Sequence, residues 1–328
     1  MLSENRLLQM NLNKEVERIC QFIKKQVGGT FRKKGTVVAV SGGIDSSTTT
    51  ALCARALGRE HVFALLMPER DSSSDSLRFG EMLVQHLKIP HQVIDIAPVL
   101  ESMGCYRFRD EAIREVIPEY SAGWKSKIVL GGGALPGSGI NFFSVVVASP
   151  EGLEIRKRLP WGNYLQVVAA TNMKQRTRKS LEYFHADRLN YAVAGTPNLL
   201  EYDQGFFVKL GDGAADLKPI AHLYKSQVYA MACHLGLPEE LCTRKPTTDT
   251  YSLDQTQEEF FFQVSYTLLD LIHSGHSQGL SAEMIAAEAA THVDVVRSVI
   301  KDVEQKRQAT TPLHLPPLTL QPIHQPKG

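Results

Sequence analysis

Residues 41–47 read Ser-Gly-Gly-Ile-Asp-Ser-Ser and follow directly on the apolar run Val37, Val38, Ala39, Val40. A buried strand ending in two glycines and opening a helix leaves backbone N–H groups unpaired, at the sheet edge where parallel α/β folds bind ligands. Gly42 and Gly43 let the backbone approach an anion without a Cβ in the way, Ser41, Ser46 and Ser47 add hydroxyls, and the helix N-terminus adds partial positive charge. Phosphate suits that geometry. Asp45 repels phosphate unless a divalent cation bridges the two, so its presence implies Mg²⁺ and a polyphosphate such as ATP. The spacing is neither GxxxxGK[ST] nor GxGxxG.

The elements that must position these residues follow from periodicity. Short β-branched runs at 36–40, 62–67, 92–96 and 191–194 read as strands buried on both faces, and 3.6-period segments at 13–27, 44–57, 75–87 and 172–188 read as helices. That alternation predicts an α/β fold with a parallel sheet flanked by helices. Residues 118–162 interrupt it. They hold the glycine-rich stretch 131–139, read as a connection because no helix follows it, and two β-like runs joined by Ser149-Pro150-Glu151-Gly152, which predicts a β-hairpin insertion. Beyond residue 238 the pattern is helical, with helices expected over 253–273, 282–290 and 293–308. The organisation expected is one domain over 1–310 and an extended proline-rich tail over 311–328.

Bulk composition narrows the function. Thirty-six Lys and Arg against 35 Asp and Glu leave a formal charge of +1, which gives no field favouring nucleic acid or an anionic membrane. Five scattered cysteines without a CxxC pair point to a reducing compartment, and the mixed charge of the first 18 residues is unlike a signal peptide. A cytoplasmic location is the expectation.

The Ser-Gly-Gly-x-Asp-Ser pattern resembles the signature of the PP-loop ATP pyrophosphatases. A second stretch, 191–259, carries GT-x-N-x-x-E, GFF-x-K-x-GDG-x-x-D, L-x-K-x-QV, LG-x-PEE and KPT in order, and resembles the NAD synthetase family within that superfamily. MPERDSSSDS at 67–76 and TNMKQRTR at 171–178 are similar to further segments of it. The resemblance covers about 15–115 and 168–310. It implies a Rossmann-like adenine nucleotide alpha hydrolase fold and ATP-dependent amidation of nicotinic acid adenine dinucleotide (deamido-NAD) through an acyl-adenylate, releasing AMP and pyrophosphate. Site roles carry over with it: Ser41, Gly42, Gly43, Asp45, Ser46, Ser47, Thr196, Lys225 and Thr247 toward ATP, Asp45 and Glu201 toward Mg²⁺, and Arg176, Lys209, Asp216 and Lys306 toward the dinucleotide. The segments 205–213 and 243–253 are the lid candidates, and a homodimer is implied.

Departures fall on the acceptor side. Gln305-Lys306-Arg307 stands where the family has His-Lys-Arg or Tyr-Lys-Arg, Gln175 where it has Ala, and Leu199 and Leu200 where a common variant is polar. A PP-loop amide ligase for a different carboxylate is therefore the alternative. With only about 35 residues before the first strand, no preceding glutaminase domain is expected, and free ammonia or a separate glutaminase subunit is the expected nitrogen source. An ATP-sensing DNA-binding regulator, suggested by the helical rhythm of 280–308, lacks support from charge. His273 and His276 lack the spacing of a zinc site.

Overall fold

The computed structural model describes residues 5–131, 142–244, 251–256 and 258–321. Helix α1 (Leu12–Lys24) leads into strand β1 (Thr36–Ala39), which feeds α2 (Ile44–Leu57). Next come β2 (Val62–Leu66), α3 (Ser74–Leu87), β3 (His91–Val93), and the short α4 (Ala97–Ser102) and α5 (Cys105–Arg114). After an antiparallel block, the 29-residue α6 (Trp161–Leu189) returns the chain to β7 (Ala192–Val193). The four strands pair in parallel in the order β3-β2-β1-β7, with Thr36 opposite Val62 and Ala192.

Alternation along β1 sorts its side chains into two cores. Val38 joins Ala64, Leu66 and Ala192 beneath α1 and α2, whereas Val37 joins Leu65 and Val193 against Leu100 of α4, Tyr106 of α5 and Ala186 of α6. Both faces are therefore covered, as a parallel sheet requires.

Strand β5 (Phe142–Ala148) and β6 (Glu154–Arg158) form the expected hairpin across Ser149–Gly152, with Ala148 opposite Glu154. The sequence reading missed a third strand, β4 (Lys125–Gly131), paired antiparallel to β5. Its alternating Lys-Ser-Lys start hid a strand whose Ser126, Ile128 and Val129 are buried. The rest of the glycine-rich stretch, 132–139, lies outside the described residues.

The C-terminal part consists of α7 (Leu199–Asp203), α8 (Lys225–His234), α9 (Glu239–Thr243), α10 (Tyr266–Ser277), α11 (Ala282–Glu288) and α12 (Val293–His314). Two boundaries differ from expectation. The helix expected from 253 starts at Tyr266, because Ser265 rather than Asp254 caps it and Gln263 just before it has φ +62°. Helix α12 runs through Pro312 to His314, four residues into the expected tail. No helix of the described residues is long and apolar enough to cross a membrane.

Asp270 of α10 is buried and accepts the Ser226 N–H (2.8 Å) in the first turn of α8, fixing the helix that begins with Lys225. Burial, against the pull of the Ser226 hydrogen bond, pushes its carboxyl up to about 7. The unfolded value is about 3.9, so the folded state binds more protons between the two, and stability falls as pH rises through that window. Asp270→Asn keeps the acceptor and removes the ionisation. Its stability relative to wild type is expected to rise by on the order of 2–4 kcal/mol between pH 4 and 8. Denaturant midpoints at the two pH values check this, and a pH-independent difference would refute it.

Candidate functional site

Gly43 caps α2 without a side-chain bond, so the first-turn N–H groups stay open to an anion. Ser46 Oγ takes the Ser41 N–H (3.3 Å) and donates to the Gly43 carbonyl (3.0 Å), drawing the turn tight. Ser47 differs from its expected role. Four residues after Gly43, its hydroxyl donates back to the Gly43 carbonyl (2.9 Å) and is fully buried, so it faces the helix and not the cavity.

Gly42 sits at φ +72°, and a Cβ there would be driven onto the Ser76 carbonyl. Gly42→Ala is therefore expected to weaken binding of a phosphate anion at this turn about tenfold or more while the domain stays folded, since the strain falls on one turn. Titration with a phosphate-bearing ligand would test it, and an unchanged affinity would show that the turn tolerates the side chain.

Three elements converge beside this turn. Asp45 lies in the first turn of α2, Glu201 in α7, and Lys225 is the first residue of α8. The buried Lys225 ammonium pairs with Asp45 and lies 3.5 Å from Glu201. Asn198 orients both acids: its Nδ2 donates to Asp45 Oδ1 (3.1 Å), and its Oδ1 accepts the Glu201 N–H (3.1 Å). The Glu201 carboxylate in turn accepts the Asn198 N–H (3.2 Å), completing a capping box. Sequence reasoning did not name Asn198, although Asn-x-x-Glu at 198–201 carries that signal.

One ammonium cannot neutralise both the buried Glu201 and the half-buried Asp45. Burial and then Asp45 push Glu201 up to about 7, against the pull of Lys225. For Lys225, burial opposes the charge but Asp45 and Glu201 outweigh it, holding the ammonium above its ordinary range. The residual negative charge, with oxygen donors only, fits a hard divalent cation that takes its remaining ligands from phosphate and water. Among the described residues no three His, Cys, Asp or Glu side chains gather as a fuller metal cage.

These groups line one cavity of about 850 Å³, with Ser41, Gly43, Asp45, Ser46, Thr196, Glu201 and Lys225 at the phosphate turn. Arg176, Lys209 and Lys306 line it too. Each of the three has a protein partner: Arg176 Nε donates to the Lys209 carbonyl (3.3 Å), and Lys209 Nζ to the carbonyls of Pro312 (2.8 Å) and Leu315 (3.3 Å). Lys306 pairs with Asp302 at 2.6 Å and donates to the Phe261 carbonyl. Burial, opposed by Asp302, lowers its pKa. Gln305 also lines the cavity.

Neither Gly42 nor Asp216 is among the lining residues. Asp216 accepts the Val193 N–H (2.7 Å) and the Tyr183 hydroxyl (3.4 Å), which ties the segment after α7 to β7. Thr247 and most of the 243–253 lid candidate lie outside the described residues. Arg244, just before them, went unnamed in the sequence because a lone arginine carries no signal. It lines the cavity and donates to the Gly42 carbonyl (2.8 Å) and Ser76 Oγ (3.2 Å), bracing the phosphate turn. His273 belongs to a structural network, bonded to Tyr224 (2.9 Å) and Asp203 (3.3 Å).

A parallel α/β sheet with an open Ser-Gly-Gly turn at the end of its first strand, facing paired acids and a lysine, defines the class as a PP-loop nucleotide-binding fold. A family model described as NAD synthase matches residues 15–120 and 154–311. The chain is 55% identical over 311 residues to the NH(3)-dependent NAD(+) synthetase of Rhizobium meliloti (strain 1021), covering 95% of this chain and 92% of the relative. It is 52% identical to the protein of that name from Rhizobium rhizogenes (strain K84 / ATCC BAA-868), covering 96% and 95%. Among solved structures, the NH3-dependent NAD synthetase from Campylobacter jejuni, in complex with the nitrate ion, superposes with a TM-score of 0.62 at 24% identity, over 95% of this chain and all of that one, a likeness of fold. The chain belongs to the NAD synthase family.

Proposed function

We propose that this chain is a ligase that amidates deamido-NAD to NAD at the expense of ATP, with free ammonia as nitrogen donor and no glutaminase subunit. The observation that carries the reading at the level of residues is the Asp45–Lys225–Glu201 cluster on the phosphate turn, opening into a cavity that also holds Arg176 and Lys306. In the first step the nicotinate carboxylate oxygen attacks the α-phosphorus of ATP, the P–O bond to the β-phosphate breaks, and pyrophosphate leaves. In the second, ammonia attacks the acyl carbon, AMP departs with the bonding pair, and a proton is lost from nitrogen.

The N–H groups of the phosphate turn and the Ser41 and Ser46 hydroxyls bind and orient the departing phosphates. Asp45 and Glu201 are the residues that would hold Mg²⁺, which supplies charge neutralisation when bound. Lys225, on the rigid N-terminus of α8, brings a permanent positive charge to the same place and exchanges its carboxylate partners for phosphate when substrate enters. Arg176, Lys209 and Lys306 supply the cations for the dinucleotide, and the 205–213 segment, which carries Lys209, closes the cavity against water that would hydrolyse the adenylate. We assign residues 1–310 to one synthetase unit acting as a homodimer, in the reducing cytoplasm that its thiols suit.

The test is NAD formation by purified protein with ATP, Mg²⁺, deamido-NAD and either ammonium or glutamine, read by a coupled dehydrogenase. NAD from ammonium alone, with one pyrophosphate per NAD, is the expected result. Pyrophosphate release with another carboxylate but none with deamido-NAD would overturn the reading.

A further inference from the structure

Residues 121–153 fall in the gap of the family match, yet Leu130 of β4 and Phe143 of β5 line the same cavity as the phosphate turn. This chain therefore builds part of its cavity wall from a segment that the family pattern does not describe. Phe143 stacks on Tyr164 of α6 with ring centroids 3.9 Å apart and planes 13° apart, and Tyr164 also stacks with Trp161 at 5.3 Å and 27°. Tyr164 and Val168, one turn further along α6, line the cavity beside Phe143.

The wall is held from behind. Ser126 of β4 donates its N–H to Ser252 Oγ (2.8 Å) and accepts the Leu253 N–H (3.2 Å), and Gln255 donates to the Ile128 carbonyl (2.7 Å). Val145 and Val147 of β5 pack with Ile128 and Val167 into a separate buried core. A ring on this sheet is thus fixed in orientation before any ligand arrives, which is what an aromatic stacking surface needs.

We propose that the Phe143–Tyr164 stack is a subsite for the flat heteroaromatic ring of a nucleotide, contributed by the inserted sheet. The proposal rests on the reaction above, in which every large substrate carries such a ring. The wall offers a π face with no charged group of its own, while charge is supplied elsewhere on α6: Tyr164 and Arg176 both line the cavity, twelve residues or about 18 Å apart along the helix. The helix therefore presents a ring-binding end and an anion-binding end to one ligand space. Two rings qualify, the adenine of ATP and a ring of the dinucleotide, and the experiment separates them.

KM for ATP and for deamido-NAD should be measured for Phe143→Leu and Tyr164→Leu beside the aromatic exchanges Phe143→Tyr and Tyr164→Phe. Leucine keeps the apolar packing and removes the π face. One KM is expected to rise about tenfold in the leucine variants, the other KM and kcat to stay within about twofold, and the aromatic exchanges to restore the wild-type value. The KM that moves identifies the ring. A fall in kcat with both KM values unchanged, or no change at all in folded variants, overturns the proposal.

A second reading needs no turnover. The chain has two tryptophans, so in a Trp124→Phe background only Trp161 emits. ATP alone or deamido-NAD alone should change that emission saturably, and Phe143→Leu should weaken the response. If the wild type makes no NAD, the assigned reaction fails, and the titration still decides the subsite: a saturable response supports it and silence with both nucleotides overturns it.

Discussion

Asp45→Asn is expected to lower kcat/KM for NAD formation by about 10³-fold or more while the protein stays folded. Asp45 is one of two acids on the phosphate turn and the direct partner of the buried Lys225, and its other oxygen is fixed by Asn198. Asparagine preserves size and leaves Glu201 to pair with Lys225, so the fold should survive. Lost would be half of the charge proposed to hold a divalent cation where negative charge builds on the leaving phosphates, an effect worth several kcal/mol, and each 1.36 kcal/mol is tenfold in rate. The decisive comparison is steady-state NAD formation beside far-ultraviolet circular dichroism. A folded variant with more than a tenth of wild-type activity would remove Asp45 from the proposed metal site. Raising Mg²⁺ should recover part of the loss if affinity for the ion is what the substitution weakened.

The catalytic half was legible because its chemistry is local. The run from Val37 to Ser47 contains strand, turn and helix start in eleven residues, and α2 begins and ends at the boundaries expected of it. Glu201 and Lys225 came from the resemblance, and the capping box at Asn198 explains why an acid at that point is buried and aimed inward. What stayed hidden depends on partners distant in sequence. Strand β4 carries Lys125 and Lys127 at the edge of its sheet, and only the bonds from Ser252, Leu253 and Gln255, more than a hundred residues on, show what holds its outer side. Helix α6 begins at Trp161, well before the expected 172, because residues 161–171 cover the inserted sheet and so lack a single apolar stripe. Lys209 illustrates the limit on the acceptor side. A lysine in a glycine-rich segment reads as a free cation, whereas its ammonium here binds the carbonyls at the end of α12, which the sequence reading had assigned to an extended tail.

Lys174→Met is expected to produce the largest loss of stability. Lys174 of α6 is almost wholly buried and donates to Glu69 (2.9 Å) and Asp71 (2.7 Å), in the loop after β2 that borders the cavity at Pro68 and Ser72. Arg109 of α5 pairs with Asp71 as well, and the Tyr106 hydroxyl donates to Glu69 (2.8 Å), so the loop is tied to two helices through buried charge. Methionine fills the space but takes from Glu69 its ammonium and leaves Asp71 to the guanidinium groups of Arg109 and, at 3.8 Å, Arg70. Removing one partner of such a network costs about 3–5 kcal/mol, because the remaining charges stay desolvated. For a chain of this size that is a fall in Tm of roughly 4–7 °C. The pH dependence has a definite sign. Burial opposes ionisation of Asp71, but Lys174 and Arg109 outweigh it and hold the carboxyl below its ordinary range. That stabilisation is fully present above the unfolded value of about 3.9 and is lost as pH falls through the lower folded value. The gap between wild type and variant should therefore be widest near neutrality and narrow below about pH 4. Thermal melts across that range provide the check. A variant within 2 °C of wild type at pH 7 would mean that Arg109, Arg70 and Tyr106 hold the loop without Lys174.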